Sequence, residues 1–267
     1  MAANWLIFSI AQAPETHYFC NNSKENIMKR THLFYVLIAG IAVTGCSQNE
    51  TKVSTRSEDL TPCDIEIGGI KFTLAKNGAE NNITTYDDTL KFVAGAQTDY
   101  FRSPAGDVID TSPVIFTEID NTKPFTFTAK VEPEYKKNGT YSAGVLYVYE
   151  NTTHSQKLCF EQDEYGDHRI VSVRTINTSD DNNHQSIEGP SIYMRISSDG
   201  KQIGSYYSAD GREWHMARLY KNDYPNKLLL GLSSQSPKDD KHTCYFSEVS
   251  IAGVAVPDFR NGSLPHE

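Results

Sequence analysis

Between Phe125 and Ile251 the chain runs through short stretches in which apolar and polar residues alternate, each closed by a turn signal. "FTFTAKV" places Phe125, Phe127, Ala129 and Val131 on one face; "YSAGVLYVY" sets Leu146 and Val148 opposite Tyr147 and Tyr149. "QKLCFEQD" sets Leu158 and Phe160 opposite Lys157, Cys159, Glu161 and Asp163, and "SIYMRIS" sets Ile192, Met194 and Ile196 opposite Tyr193 and Arg195. A period of two sends successive side chains to opposite faces of a β-strand. Further strands are expected at "RIVSVRTI", "QIGSYYS", "EWHMARLY", "KLLLGLS" and "CYFSEVSI", and "TSDDNNHQSIEGP" (Thr178 to Pro190) reads as a long polar loop. Asn138-Gly139, Tyr165-Gly166-Asp167, Asp199-Gly200 and Asp210-Gly211 mark the turns. Helical periodicity is nearly absent. This pattern predicts an all-β chain, an antiparallel two-sheet sandwich around one apolar layer.

The outer face of such a sheet must be polar for solubility alone. That matters for Glu161 and Asp163, which stand two residues apart and so on one face of a regular strand. Paired carboxylates at roughly 5–10 Å arm many glycoside hydrolases. They also line the wet side of ordinary strands.

The 267 residues carry a formal net charge of −9, which gives nonspecific nucleic-acid binding no electrostatic footprint. No apolar run approaches the roughly 20 residues that span a bilayer. From Met28, "MKRTHLFYVLIAGIAVTGC" follows the plan of a signal peptide: Lys29 and Arg30, a short apolar run, then small residues ending at Cys46. "VTGC" resembles a bacterial lipobox, which implies a lipid-anchored protein of the cell envelope, on the outer membrane, with Cys46 as the modified residue. A plain secretory signal is the alternative. Residues 1–27 then read as an over-extended start, 28–45 as the signal peptide, 46–62 as a polar tether, 63–253 as the folded domain and 254–267 as a tail.

Cys63, Cys159 and Cys244 remain, without C-x-x-C spacing, so no zinc site is expected. A Cys63–Cys244 disulfide and buried free thiols both stay open.

"SSDGKQIGSYYSADGREWHMARL" carries a strand, an Asp-Gly turn, a strand ending in "YYSADG" and then Trp214. "TDYFRSPAG", "AGVLYVYEN", "KLCFEQ", "LLGLSSQSP" and "CYFSEV" accompany it in order. This series resembles the regulation-of-enolase-protein-1-like domains of unknown function, in the concanavalin A-like lectin/glucanase superfamily, over roughly residues 65–252. The resemblance implies a jelly-roll sandwich with one convex and one concave sheet. It departs from the family at Ser155, where a Trp usually precedes the Lys corresponding to Lys157. Trp214, alone in the mature chain, reads as a packing residue.

Laminarinase-type relatives in that superfamily carry E-x-D-x-x-E on one strand as nucleophile, supporting Asp and acid/base. This chain offers Glu161 and Asp163, but position 166 is Gly166, and Glu164 falls on the opposite face of a regular strand. No G-x-S-x-G elbow, phosphate loop or H-E-x-x-H occurs. No catalytic residue, cofactor or metal is therefore nominated, and a glycoside hydrolase with an atypical carboxylate pair stays as the second alternative. The outward-facing Tyr147, Tyr149, Lys157, Glu161, Tyr193 and Arg195 are expected to share one sheet face and to bind a glycan on the concave sheet. A solvated face of cross-strand pairs competes with that reading, as does a face that docks another envelope protein.

Overall fold

The computed structural model describes residues 60–137 and 139–265. The expected signal peptide, Cys46 and all of the tether before Leu60 lie outside the described residues.

An eight-stranded sheet is built from β1 (Leu60–Ile67), β2 (Ile70–Lys76), β7 (Val114–Asp120), β16 (Lys227–Gln235), β9 (Ala143–Asn151), β10 (His154–Gln162), β11 (His168–Ile176) and β12 (Thr178–Ser186), in that spatial order. A seven-stranded sheet follows the order β15 (His215–Lys221), β14 (Gln202–Ser208), β13 (Ile192–Ser198), β8 (Phe125–Pro133), β17 (Lys241–Ala252), β4 (Thr89–Gly95) and β3 (Ile83–Tyr86). The short hairpin β5 (Tyr100–Arg102) and β6 (Val108–Asp110) completes the set. Every strand pairing is antiparallel. The fold is the expected all-β, two-sheet jelly-roll sandwich. Among the described residues no helix is long and apolar enough to cross a membrane.

The alternation sorts the core as the sequence requires. Leu146, Val148, Leu158, Phe160, Leu230 and Leu232 of the first sheet meet Phe127, Ala129, Val131, Met194, Ile196 and Phe246 of the second. Each of these side chains except that of Ala129 contributes about 1.5–3 kcal/mol on full burial. Cys63, Cys159 and Cys244 are free thiols; Cys244 belongs to this core and Cys63 packs against its edge.

Three boundaries differ from the sequence reading. Strand β1 begins at Leu60, inside the expected tether. Thr178–Ser186, expected as a loop, is the edge strand β12, paired with β11. It shows no apolar period because it has only Ser179 buried and overhangs the core. The segment after residue 253 packs on the outer face of the second sheet. There Val256 N–H donates to Ser197 Oγ (2.9 Å) and the Tyr206 hydroxyl donates to the Phe259 carbonyl (2.9 Å).

The feature that shapes function is the second apolar cluster, on the outer face of the eight-stranded sheet. Val145, Tyr147 and Tyr149 of β9 and Phe116 of β7 pack there beneath Tyr100 of the β5–β6 hairpin. Strand β9 is therefore buried on both faces, with the hairpin covering the one that an open sandwich would leave to solvent.

Candidate functional site

Beside the hairpin, strands β10, β11 and β12 floor a cleft of about 280 Å³. Three ladder positions define its floor. Lys157 on β10 stands opposite Val173 on β11, which stands opposite Asp181 on β12. Cys159, Val171 and Asn183 form the next row. Glu161 follows, opposite Ala143 of β9, which pairs with Gln235 of β16. Phe101 walls the cleft from the hairpin, and Tyr141 and Glu164 wall it from the loops at its far end.

Lys157 is 3 % exposed. Its ammonium donates to Asp99 Oδ1 at 3.1 Å and to Gln235 Oε1 at 3.2 Å. Burial works against that charge, yet the Asp99 carboxylate holds the Lys157 pKa above the ordinary lysine value. Glu161 is half-buried, and burial pushes its carboxyl up to about 8 against the pull of Lys157, with Asp181, Asp99 and Asp163 adding to the rise. It keeps its proton at neutral pH, so it can donate a hydrogen bond as well as accept one. Burial also raises the Asp181 carboxyl, opposed by Lys157. Among the described residues no cluster of three or more His, Cys, Asp or Glu side chains is placed to hold a metal ion.

Asp163, the other half of the opening carboxylate pair, does structural work. Strand β10 ends at Gln162, and Asp163 Oδ1 accepts the backbone N–H groups of Tyr165 and Asp167, both at 2.9 Å. Its second oxygen pairs with Arg169. Gly166 sits in that turn at φ 88°, a conformation glycine adopts without strain. The turn also corrects the expectation for Glu164. Because the strand has already ended, alternation no longer applies, and Glu164 lines the same cleft as Glu161.

Of the six expected ligand residues, only Lys157 and Glu161 reach the cleft. Tyr147 and Tyr149 lie on the same face but are each 1 % exposed beneath Tyr100. Tyr100 meets them edge-on, with ring centroids 6.1 and 6.4 Å apart, and its hydroxyl donates to the Thr152 carbonyl at 2.6 Å. Ser155, where the family it resembles usually carries a Trp, is fully buried beside Tyr100. The small side chain leaves the room that the Tyr100 ring takes.

Tyr193 and Arg195 are on the other sheet. Both belong to β13 and line a separate groove of about 500 Å³ with Trp214 and Glu248. Arg195 stacks on Trp214 at 3.7 Å and donates to Thr128 Oγ1 (3.0 Å) and the Gly262 carbonyl (2.9 Å). The Tyr193 hydroxyl donates to Glu248 Oε1 at 2.9 Å. The six residues do not share a face. Alternation tells which side of its own strand a residue occupies, not which sheet the strand joins. Trp214, 7 % exposed, packs with Tyr206 and Val256, as expected.

The sequence reading missed Asp99, Phe101, Tyr141, Asp181, Asn183 and Gln235. Thr178–Ser186 is polar throughout, so no alternation marked Asp181 or Asn183. Nothing local announced that residues 98–102 would fold over the sheet.

A crystal structure of a functionally unknown protein from Saccharomyces cerevisiae superposes with a TM-score of 0.61 at 19% identity, covering 68% of this chain and 96% of that one. The chain named Bacteroides ovatus xyloglucan PUL GH43B gives 0.51 at 11% identity, covering 77% and 39%. The GH43 BlXynB protein from Bacillus licheniformis gives 0.50 at 13%, covering 63% and 33%. These likenesses are of fold alone, and this chain spans well under half of either GH43 chain. No curated protein sequence matches it. Residues 77–253 match the family described as protein of unknown function (DUF1349), and the chain belongs to that family.

Proposed function

We propose that this is an envelope-anchored, non-catalytic carbohydrate-binding protein, lipidated at Cys46 and taking its ligand in the cleft over β10–β12. The observation that carries the reading is the combination within one cleft of two aromatic rings, Phe101 and Tyr141, with the donors and acceptors of Glu161, Asn183 and Gln235. Sugars present C–H faces that stack on rings and hydroxyls that both donate and accept. A protonated Glu161 suits the second need. The sequence's resemblance to the lectin/glucanase superfamily supports the reading without carrying a ligand identity.

A glycan array probed with the protein expressed from Met28 and purified in detergent tests the cleft. Phe101→Ala and Tyr141→Ala should each weaken any glycan signal. A signal unchanged in both would put the ligand elsewhere, and no signal, with an envelope protein captured through the same face, would favour the interaction-module alternative. Labelled fatty acid fed to a bacterial host tests the anchor. Label should enter the protein and be lost in Cys46→Ser; label retained in that variant would rule out Cys46.

A further inference from the structure

Resting on the carbohydrate reading, we infer that the cleft takes the end of a glycan chain, its terminal sugar or two, and not an internal stretch of polysaccharide. The face of an open sheet is a through-groove, along which a long chain can lie with both ends free. Here the segment Thr98–Arg102 crosses that face from the end of the interior strand β16 to the edge strand β12. Thr98 exchanges backbone hydrogen bonds with Ser236, just past the end of β16, at 3.2 and 3.0 Å. Asp99 reaches β10 at Lys157, and Tyr100 fills the slot over β9. Arg102 N–H then donates to Ser179 Oγ on β12 at 3.0 Å, while Arg102 Nε donates to the Asn177 carbonyl at 2.8 Å.

The return strand is pinned as firmly. Asp110 pairs with Lys76 of β2 at 3.0 Å, and Ser112 Oγ meets Ser233 Oγ of β16 at 2.9 Å. Lys76 and Ser112 are buried, so the bar is part of the packed structure. The ladder row of Ser155 and Ser179 is thus roofed, and the space left over the Lys157 to Glu161 rows is a pocket closed at the Tyr100 end. Its volume of about 280 Å³ falls just below the ~300–1,000 Å³ range of drug-sized ligand sites. A continuing chain would have to pass through Tyr100, which is 2 % exposed.

Calorimetric titration of the detergent-purified protein, with β-1,4-linked glucose, xylose and N-acetylglucosamine oligomers of one to six residues as probes, tests this. In the series that binds, affinity should rise from the monomer to the dimer and then stay within about twofold up to the hexamer, a difference below ~0.4 kcal/mol. Cyclic glucans, which have no ends, should not compete. Affinity that climbs steadily to the hexamer, or cyclic glucans that compete as well as linear ones, would overturn the chain-end inference and leave the carbohydrate reading standing. No binding in any series would overturn both. Phe101→Ala should weaken dimer and hexamer by the same factor; a loss confined to the hexamer would count against the inference.

Discussion

Lys157 Nζ lies 3.1 Å from Asp99 Oδ1, with the two side chains 4 % and 17 % exposed, and this pair fastens the hairpin to the sheet it covers. A buried ion pair adds little against an apolar isostere, but removing one partner strands the other charge away from water. Asp99→Ala should therefore destabilise the fold by roughly 3 kcal/mol, read by chemical denaturation. Lys157→Met combined with Asp99→Leu should be less damaging than the sum of the single changes. Strict additivity would mean the two charges do not sense each other.

Tyr147 and Phe101 illustrate how a ring on the right face can have the wrong job. Tyr147 is enclosed by Tyr100 and Phe116, at centroid distances of 6.1 and 6.3 Å. Tyr147→Ala should cost about 3–5 kcal/mol, as large-to-small core changes do. Phe101 is half-buried at the cleft wall, so Phe101→Ala should leave the unfolding midpoint within about 1 kcal/mol of wild type. Its glycan affinity should nonetheless fall several-fold. The reverse pattern, with Tyr147→Ala stable and binding-deficient, would restore Tyr147 as a ligand residue.

The faces of β8, β9, β10 and β13 were legible because each is a core strand whose apolar period reports a buried side. Strand β12 was not, because its partners are β11 on one side and solvent on the other, and nothing apolar marks its register. The cleft was half legible. Lys157 and Glu161 are placed by alternation along β10, whereas Asp99 and Phe101 depend on a chain crossing fixed by contacts as distant in sequence as Thr98 with Ser236. The two tyrosines of β9 were placed on the correct face but taken as exposed, since a sequence read strand by strand does not show what lies on top.

Glu161 should make stability fall with rising pH. Its carboxyl rises from an ordinary 4.5 to about 8 in the folded protein, so the folded state holds a proton that the unfolded chain releases. The stabilisation is complete below about pH 4.5 and is lost as pH climbs through about 8. His242 acts in the opposite sense at lower pH, because burial depresses its imidazole to about 4 from 6.5. Comparison with Glu161→Gln isolates the first effect. Wild type should lose stability relative to that variant between pH 4.5 and 8, and a difference flat across that window would show that Glu161 is ionised in the fold.

Hydrolysis is the remaining alternative for a cleft that holds Glu161, Glu164 and Asp181 together. Its strongest support is Glu161, a carboxylic acid still protonated at neutral pH, as a general acid must be. Against it stands the fate of the strand pattern: Asp163 is consumed by its turn and by Arg169, and position 166 is a glycine at positive φ. Glu164 is carried on that turn, exposed at the rim and beyond the end of the strand that holds Glu161, whereas paired-carboxylate chemistry needs both groups held at a fixed separation. The expected result is no turnover above background on β-glucans, xylans and chromogenic glycosides, with glycan binding retained. Turnover that disappears in both Glu161→Gln and Glu164→Gln while binding persists would reverse the assignment. In that case the pH–rate profile should lose activity above about pH 8, as Glu161 gives up its proton.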